Sequence, residues 1–167
     1  DVIDFIDFLY LNDVDALIVY DLGLIDIIKK RYKDLEIHVS TQLNTHCLWQ
    51  IKMLEELNVS RVVLARECSL STIKHIKANS SLELEIFTHG SLCVCYSGNC
   101  LHSSLIGKRS GNRGKCAQPC RLPYELLEND KKIDNGYLLS PRDLSSLELL
   151  PNLIKLGINS FKIEGRM

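Results

Sequence analysis

At 167 residues the chain is long enough to bury a sizeable core, and its 46% hydrophobic and 25% charged content is ordinary for a globular protein. It has no run of about 18 apolar residues, which excludes a transmembrane helix, and its opening residues lack a secretory leader pattern. A net charge of −1 excludes a protein that coats polyanions indiscriminately. The chain opens without Met and stops on a strand-like Phe-Lys-Ile-Glu-Gly-Arg-Met, so a fragment of a longer protein is expected.

Strand and helix patterns alternate along the chain. Asp1–Leu11 reads as a helix without its preceding strand. Strand candidates follow at Ala16–Tyr20, Ile37–Thr41, Arg61–Ala65, Leu84–Thr88, Tyr137–Ser140 and Ser160–Ile163. Helical periods fill Leu22–Tyr32, Thr45–Leu57 and Ser71–Ala78. Tyr124–Ile133 reads as a hairpin around Asn129-Asp130. Asp143 or Ser145 is placed to cap a helix through about Leu156 that Gly157 ends. The early strands recur every 22–25 residues or so, the length of one strand–helix unit, which points to an α/β fold with a parallel sheet.

Alternation within the strands separates a barrel from a doubly wound sheet. Parallel strands covered on both faces read as continuous apolar runs. Here Glu36, His38, Ser40 and Gln42 share one face and Ile37 and Val39 the other. Glu85, Phe87 and His89 alternate with Leu84 and Ile86, and Lys162, Glu164 and Arg166 with Phe161 and Ile163. A face that turns polar toward the strand C-termini fits a barrel with a reactive pocket at its C-terminal mouth. The expectation is therefore a partial TIM-like (β/α) barrel, one catalytic-domain fragment over 1–167, with a Cys-rich, Gly-rich insertion over 90–124 after one strand.

That insertion holds most of the chemical information. Five of seven cysteines lie between 93 and 120, with spacing Cys93-x6-Cys100-x15-Cys116-x3-Cys120 and Cys95 as an extra thiol. The segment carries Lys108, Arg109, Arg113, Lys115 and Arg121 and no acid, a charge of +5 against −6 for the rest. An odd cysteine count without secretory features argues for reduced thiols in the cytoplasm rather than a disulfide framework. Zinc sites usually use tighter Cys-x2–4-Cys pairs, and only the last pair here fits. A loose glycine-laced set suits an iron–sulfur cluster, with zinc or plain redox thiols as alternatives. Cys47 and Cys68 read as small buried hydrophobes.

The run Glu85-x-Phe87-x-x-Gly90-Ser91-Leu92-Cys93-x-Cys95-x-Ser97-Gly98-x-Cys100, continued by Arg109-Ser110-x-Asn112-x-Gly114-x-Cys116-x-Gln118-x-Cys120-Arg121, resembles the signature of the collagenase-like peptidases of unassigned catalytic type. Ser40-Thr41-Gln42, Val62–Glu67, Leu139–Leu144 and Lys162–Met167 are similar to the same family, so the resemblance spans nearly the whole chain. It implies a barrel-like catalytic domain. It also implies RNA base hydroxylation, on transfer-RNA uridine or ribosomal cytidine, dependent on prephenate and on iron–sulfur cluster assembly; other members hydroxylate quinones without oxygen. The wording from Arg109 to Tyr124 is closest to the longer members, which resemble the ribosomal RNA hydroxylation protein. By this resemblance Cys93, Cys100, Cys116 and Cys120 are ligands of a cluster, of the 4Fe–4S type.

On this reading the cluster does redox or Lewis-acid work, the polar mouth holds a small carboxylated co-substrate, and Arg109, Arg113, Lys115 and Arg121 contact RNA phosphate. Candidate catalytic residues are Glu85, His89, Arg142, Asp143, Lys162, Glu164 and Arg166. Arg142, Lys162 and Arg166 suit carboxylates. Glu85 and Glu164 serve as acid or base, or hold those cations in structural ion pairs. His38 and His89 stand in reach of the pocket as proton donors, or are hydrogen-bonded structural residues; His46, His75 and His102 fall at surface or cap positions. Tyr96 and Tyr124 flank the loop as possible base-stacking rings. Two alternatives stay open. One is a peptidase using a Cys95–His89 or Cys95–His102 pair, although no His-Glu-x-x-His or Gly-x-Ser-x-Gly motif occurs. The other is a zinc-stabilised RNA-binding module. No membrane partner is expected.

Overall fold

The structure, a computed structural model, describes residues 1–165. In chain order its elements are α1 (Val2–Leu11), β1 (Ala16–Val19), α2 (Leu22–Arg31), β2 (Glu36–Val39), α3 (Leu48–Glu56), β3 (Arg61–Val63), α4 (Leu70–Ala78), β4 (Glu83–Gly90), α5 (His102–Gly107), β5 (Tyr124–Glu128), β6 (Lys131–Gly136), β7 (Leu144–Ser145), α6 (Leu150–Lys155) and β8 (Ser160–Glu164). Short 3-10 turns join several of them. Strands β1, β2, β3, β4 and β8 run parallel in that order and curl strongly into half a barrel.

The helices form where polar capping and apolar spacing agree. Asp21 accepts a hydrogen bond from the Leu24 amide (2.8 Å) to start α2, and Ser69 accepts from Thr72 (3.2 Å) to start α4. Lys29, Lys30 and Arg31 occupy the last turn of α2, where cations favour the helix dipole. Ile25 and Ile28, Ile51 and Leu54, and Ile73 and Ile76 repeat at helical spacing and are buried against one face of the sheet. That face supplies Ile37, Val39, Val62, Leu64, Leu84 and Ile86. Each such side chain contributes about 1.5–3 kcal/mol on burial.

The opposite face is the polar one that the alternation predicts. The register sets Ile18 beside His38, His38 beside Arg61, Val63 beside Glu85, and Phe87 beside Lys162. Glu85, Phe87, Lys162 and Glu164 therefore line one inner surface.

Three expectations are corrected. A β-bulge between Phe87 and His89 inserts Thr88 and pairs His89 with Ile163 instead of Lys162 or Glu164. His89 is exposed and leaves the face it was assigned by simple alternation. Tyr137–Ser140 forms a turn closed by Ser140 N–H to Tyr137 C=O (3.0 Å), not a strand. An apolar run needs an edge to pair with, and the free edge of β4 beyond β3 is taken instead by β7, antiparallel at His89 and Gly90. The helix assigned from Asp143 or Ser145 begins as a 3-10 turn at Leu147–Leu149 and becomes α6 only at Leu150; Gly157, at φ 83°, ends it. The β5–β6 hairpin forms around Asn129 and Asp130, both at positive φ as a type I′ turn requires, and continues to Gly136.

Candidate functional site

The C-terminal ends of β2, β3, β4 and β8 open into a cavity of about 510 Å³. Its floor is Phe87, Lys162 and Glu164 from β4 and β8, with Arg66 just beyond β3 and the Ser40–Gln42 turn beyond β2. Its far wall is the segment between β4 and β7. Cys93, Cys100, Cys116 and Cys120 all line this one space. Burial pushes the Cys120 thiol up; the nearby Arg121 opposes this, and the neighbouring Cys93, Cys116 and Cys100 add to it, so the four sulfurs share one electrostatic neighbourhood. Among the described residues no three His, Cys, Asp or Glu side chains converge closely enough to hold a single metal ion. The donors are soft and fourfold, and they rim a space rather than meet at a point. Cys95 does not line the cavity; it lies beside Cys100, and burial, then that neighbour, raises its thiol.

The thiol-bearing segment is held by contacts from the barrel strands. The Arg66 guanidinium forms a bidentate pair with Glu164 (2.8 and 2.6 Å), lies 4.6 Å from the centroid of the Phe87 ring, and donates to the Ser97 hydroxyl at 3.3 Å. Ser97 is buried; it also accepts from the Arg66 amide (3.1 Å) and donates its own amide to Glu67 (2.9 Å). Its neighbour Gly98, at φ 76°, packs its backbone directly on Gln42: a Cβ there would lie 1.9 Å from the Gln42 carbonyl oxygen. Asn112 donates to the Gly98 carbonyl (3.0 Å) and so ties the Cys116 arm to the Cys93–Cys100 arm. Gly90, at φ 105°, makes the same kind of close approach: a Cβ there would lie 2.0 Å from the Glu164 carbonyl oxygen. Sequence reading assigned no site role to Arg66, Ser97 or Gln42. The signal for Arg66 was its place immediately after an apolar strand, which is the mouth position of a barrel.

The remaining candidates divide. Glu85 is buried and receives Lys162 (3.0 Å), the Ser160 hydroxyl (2.8 Å) and Arg61 (3.7 Å). Burial raises its pKa, but Lys162 and Ser160 together with the charge of Arg61 outweigh that and hold it below the ordinary 4.5. An ionised carboxylate braced by two cations is a positioning group, not a general acid at neutral pH. Its depressed folded-state pKa gives stability that is present above about 4.5 and is lost as pH falls through the folded-state value. Glu85→Gln is therefore expected to unfold more easily than wild type at pH 7, with the difference shrinking below pH 4.5; urea midpoints across that range check it.

Arg142 and Asp143 are exposed outside the cavity, with Asp143 accepting from Ser91 (2.8 Å). Arg166 lies outside the described residues. Arg109, Arg113 and Lys115 are exposed on the outer side of the segment, Arg109 donating to the Lys115 carbonyl (3.0 Å). Arg121 is engaged internally: it donates to Ser140, the Pro141 carbonyl and the Leu92 carbonyl at 2.6–2.8 Å, bracing the backbone next to Cys93. Tyr124 is similarly held, donating to the Pro119 carbonyl (2.8 Å) and stacked on His102. His38 lies 3.5 Å from Glu36 and is not part of the cavity wall. Of the groups of the alternative Cys–His pair, His102 lines the cavity, whereas Cys95, its thiol raised by burial, and His89 do not.

A curled parallel half-barrel whose mouth is rimmed by four thiols and crossed by part-buried ion pairs places the chain among α/β proteins with a thiol-lined barrel mouth. Within that class the chain belongs to peptidase family U32, whose profile matches residues 1–167. It is 41% identical over 160 residues to the 23S rRNA 5-hydroxycytidine C2501 synthase of Escherichia coli (strain K12), covering 95% of this chain and 24% of that protein. It is 37% identical over 163 residues to tRNA hydroxylation protein P1 of Bacillus subtilis (strain 168), covering 93% and 39%. It is 33% identical over 147 residues to a collagenase of Porphyromonas gingivalis, covering 79% and 35%. The chain thus spans between about a quarter and two fifths of the length of these relatives. No solved structure matches it.

Proposed function

We propose that the chain forms the thiol-bearing part of a TIM-like (β/α) barrel enzyme that hydroxylates a base of RNA with the help of an iron–sulfur cluster, the Cys-rich segment being an insertion after β4. The observation that carries this reading is the placing of Cys93, Cys100, Cys116 and Cys120 around one cavity at the C-terminal mouth. Two relatives carry RNA hydroxylation in their names, a 23S rRNA 5-hydroxycytidine synthase in one case and a tRNA hydroxylation protein in the other. Four soft thiol donors lining one cavity, spaced in the chain more loosely than the Cys-x2–4-Cys pairs usual for zinc, support a polynuclear group. When bound, such a cluster supplies redox or Lewis-acid chemistry.

The chain's own residues then have separate tasks. Arg66 and Lys162 bring two cations to the cavity wall, each oriented by a carboxylate, and so present preorganised donors to a small carboxylated co-substrate such as prephenate. Arg109, Arg113 and Lys115 meet RNA phosphate from the exposed side. Phe87 supplies an apolar floor beneath the reacting space.

Cys93→Ser, Cys100→Ser and Cys116→Ser in the full-length protein are each expected to reduce the hydroxylated nucleoside to the level of a deletion strain. Mass spectrometry of nucleosides from complemented cells reads this. Anaerobically purified wild type is expected to be brown and to contain iron and sulfide, and the variants to be pale. A colourless zinc protein from wild type, or unchanged hydroxylation in the deletion strain, sinks the reading.

A further inference from the structure

A second cavity, of about 410 Å³, lies on the other side of the Cys95–Cys100 loop and is lined by Asn44, His46, Glu67, Cys68, Thr72, Tyr96 and Asn99. Tyr96 lines both cavities and is their shared wall. Tyr96 is 68% exposed, whereas the backbone beside it is held: Ser97 next to it is buried and bonded to Arg66 and Glu67. A rigidly mounted, exposed aromatic ring between two pockets is unusual for a purely structural tyrosine. The other tyrosine of this region, Tyr124, has its hydroxyl bonded and its ring stacked.

Most residues lining the second cavity carry a polar group, the Glu67 carboxylate among them. His46 Nδ1 lies 2.7 Å from the Asn44 carbonyl oxygen. A carbonyl only accepts, so Nδ1 carries the proton and Nε2 of the neutral ring is an acceptor. Asn99 brings an amide and Thr72 a hydroxyl to the same space. The volume falls in the range of small-ligand pockets, and its mixed donors and acceptors match the edge of a nucleobase. The exposed cations Arg109, Arg113 and Lys115 belong to the same segment between β4 and β7.

We propose that this second cavity seats an unpaired nucleotide adjacent to the one presented to the cysteine-lined cavity, with Tyr96 stacking as the divider between the two bases. The inference rests on the RNA reading above and extends it to a single-stranded substrate segment of at least two nucleotides. Ring stacking carries the affinity, and His46 and Asn99 read the seated base's edge. Because every base has a π-face, the Tyr96 contribution is tolerant of sequence.

The test uses full-length protein and fluorescein-labelled RNA of mixed sequence, single-stranded and as a blunt duplex, read by anisotropy. Tyr96→Ala is expected to weaken single-strand binding about tenfold, the order of one lost base stack, while Tyr96→Phe binds like wild type. His46→Ala is expected to weaken it about threefold, as loss of one neutral hydrogen bond does. Duplex binding is expected to change less than twofold in all three. Thermal melting within a few degrees of wild type checks that these exposed substitutions leave the fold intact. Wild type that binds single strands while Tyr96→Ala and His46→Ala bind equally well overturns this proposal and leaves the RNA reading standing. Wild type that binds no RNA overturns both.

Discussion

Arg66→Ala is expected to destabilise the folded protein by about 3 kcal/mol, the lower end of the cost of removing one partner from a buried ion pair, because this pair is part-buried. Arg66 and Glu164 are 12% and 10% exposed at their side chains, so the substitution takes a bidentate guanidinium away from a poorly solvated carboxylate at the cavity floor. The Phe87 ring would lose its stacked cation, and Ser97 would lose one of its two donors from Arg66. Arg66→Lys is expected to recover only part of the loss, because an ammonium offers no planar fork to a carboxylate and no flat face to a ring. The double variant Arg66→Ala/Glu164→Gln is expected to be more stable than Arg66→Ala alone, since the poorly solvated carboxylate that lost its guanidinium is replaced by a neutral amide. Urea unfolding of the four proteins checks this. Equal midpoints for wild type and Arg66→Ala would show that the pair does not hold the mouth together.

If the proposed RNA hydroxylation holds, Gly98→Ala in the full-length protein is expected to abolish it, while Gly114→Ala keeps it. Both glycines sit at positive φ, 76° and 70°, where an L side chain costs about 1–3 kcal/mol. They differ in what surrounds them. A Cβ on Gly114 meets nothing within 4 Å, whereas one on Gly98 falls 1.9 Å from the Gln42 carbonyl oxygen and 2.6 Å from its carbon. Those are backbone atoms, which no rotamer change can move aside. The loop carrying Cys93 and Cys100 must then lift off the Ser40–Gln42 turn, breaking the Ser97 contacts to Arg66 and Glu67 and the Asn112 bond that ties in the Cys116 arm. Nucleoside mass spectrometry separates the two variants, and limited proteolysis is expected to cut Gly98→Ala within 91–123 much faster than wild type.

The strands were legible because their two faces differ chemically. Ile37 and Val39 against Glu36 and His38, or Leu84 and Ile86 against Glu85 and Phe87, announce one face against helices and one toward a polar interior. The same rule failed at His89, because a bulge adds a residue without leaving a mark in the alternation. It also failed at Tyr137–Ser140, where the apolar residues exist but no strand edge is available to pair with them. Arg121 shows a different limit. In sequence it is one of five clustered cations; in space its guanidinium is consumed by Ser140 and by two carbonyls, and its charge is part of the brace behind Cys93.

Sequence alone determined the alternation of strands and helices, the polar character of the inner face, and the presence of four soft donors among glycines and cations. These are properties of neighbouring residues, and local periodicity and composition express them directly. Only the tertiary structure decided that Arg66 meets Glu164, 98 residues away, that Glu67 seizes Ser97, that Gly98 presses on Gln42, and that Tyr96 divides two cavities. Those meetings follow from how five parallel strands curl and which loops then share one rim, a consequence of long-range pairing that no local pattern contains.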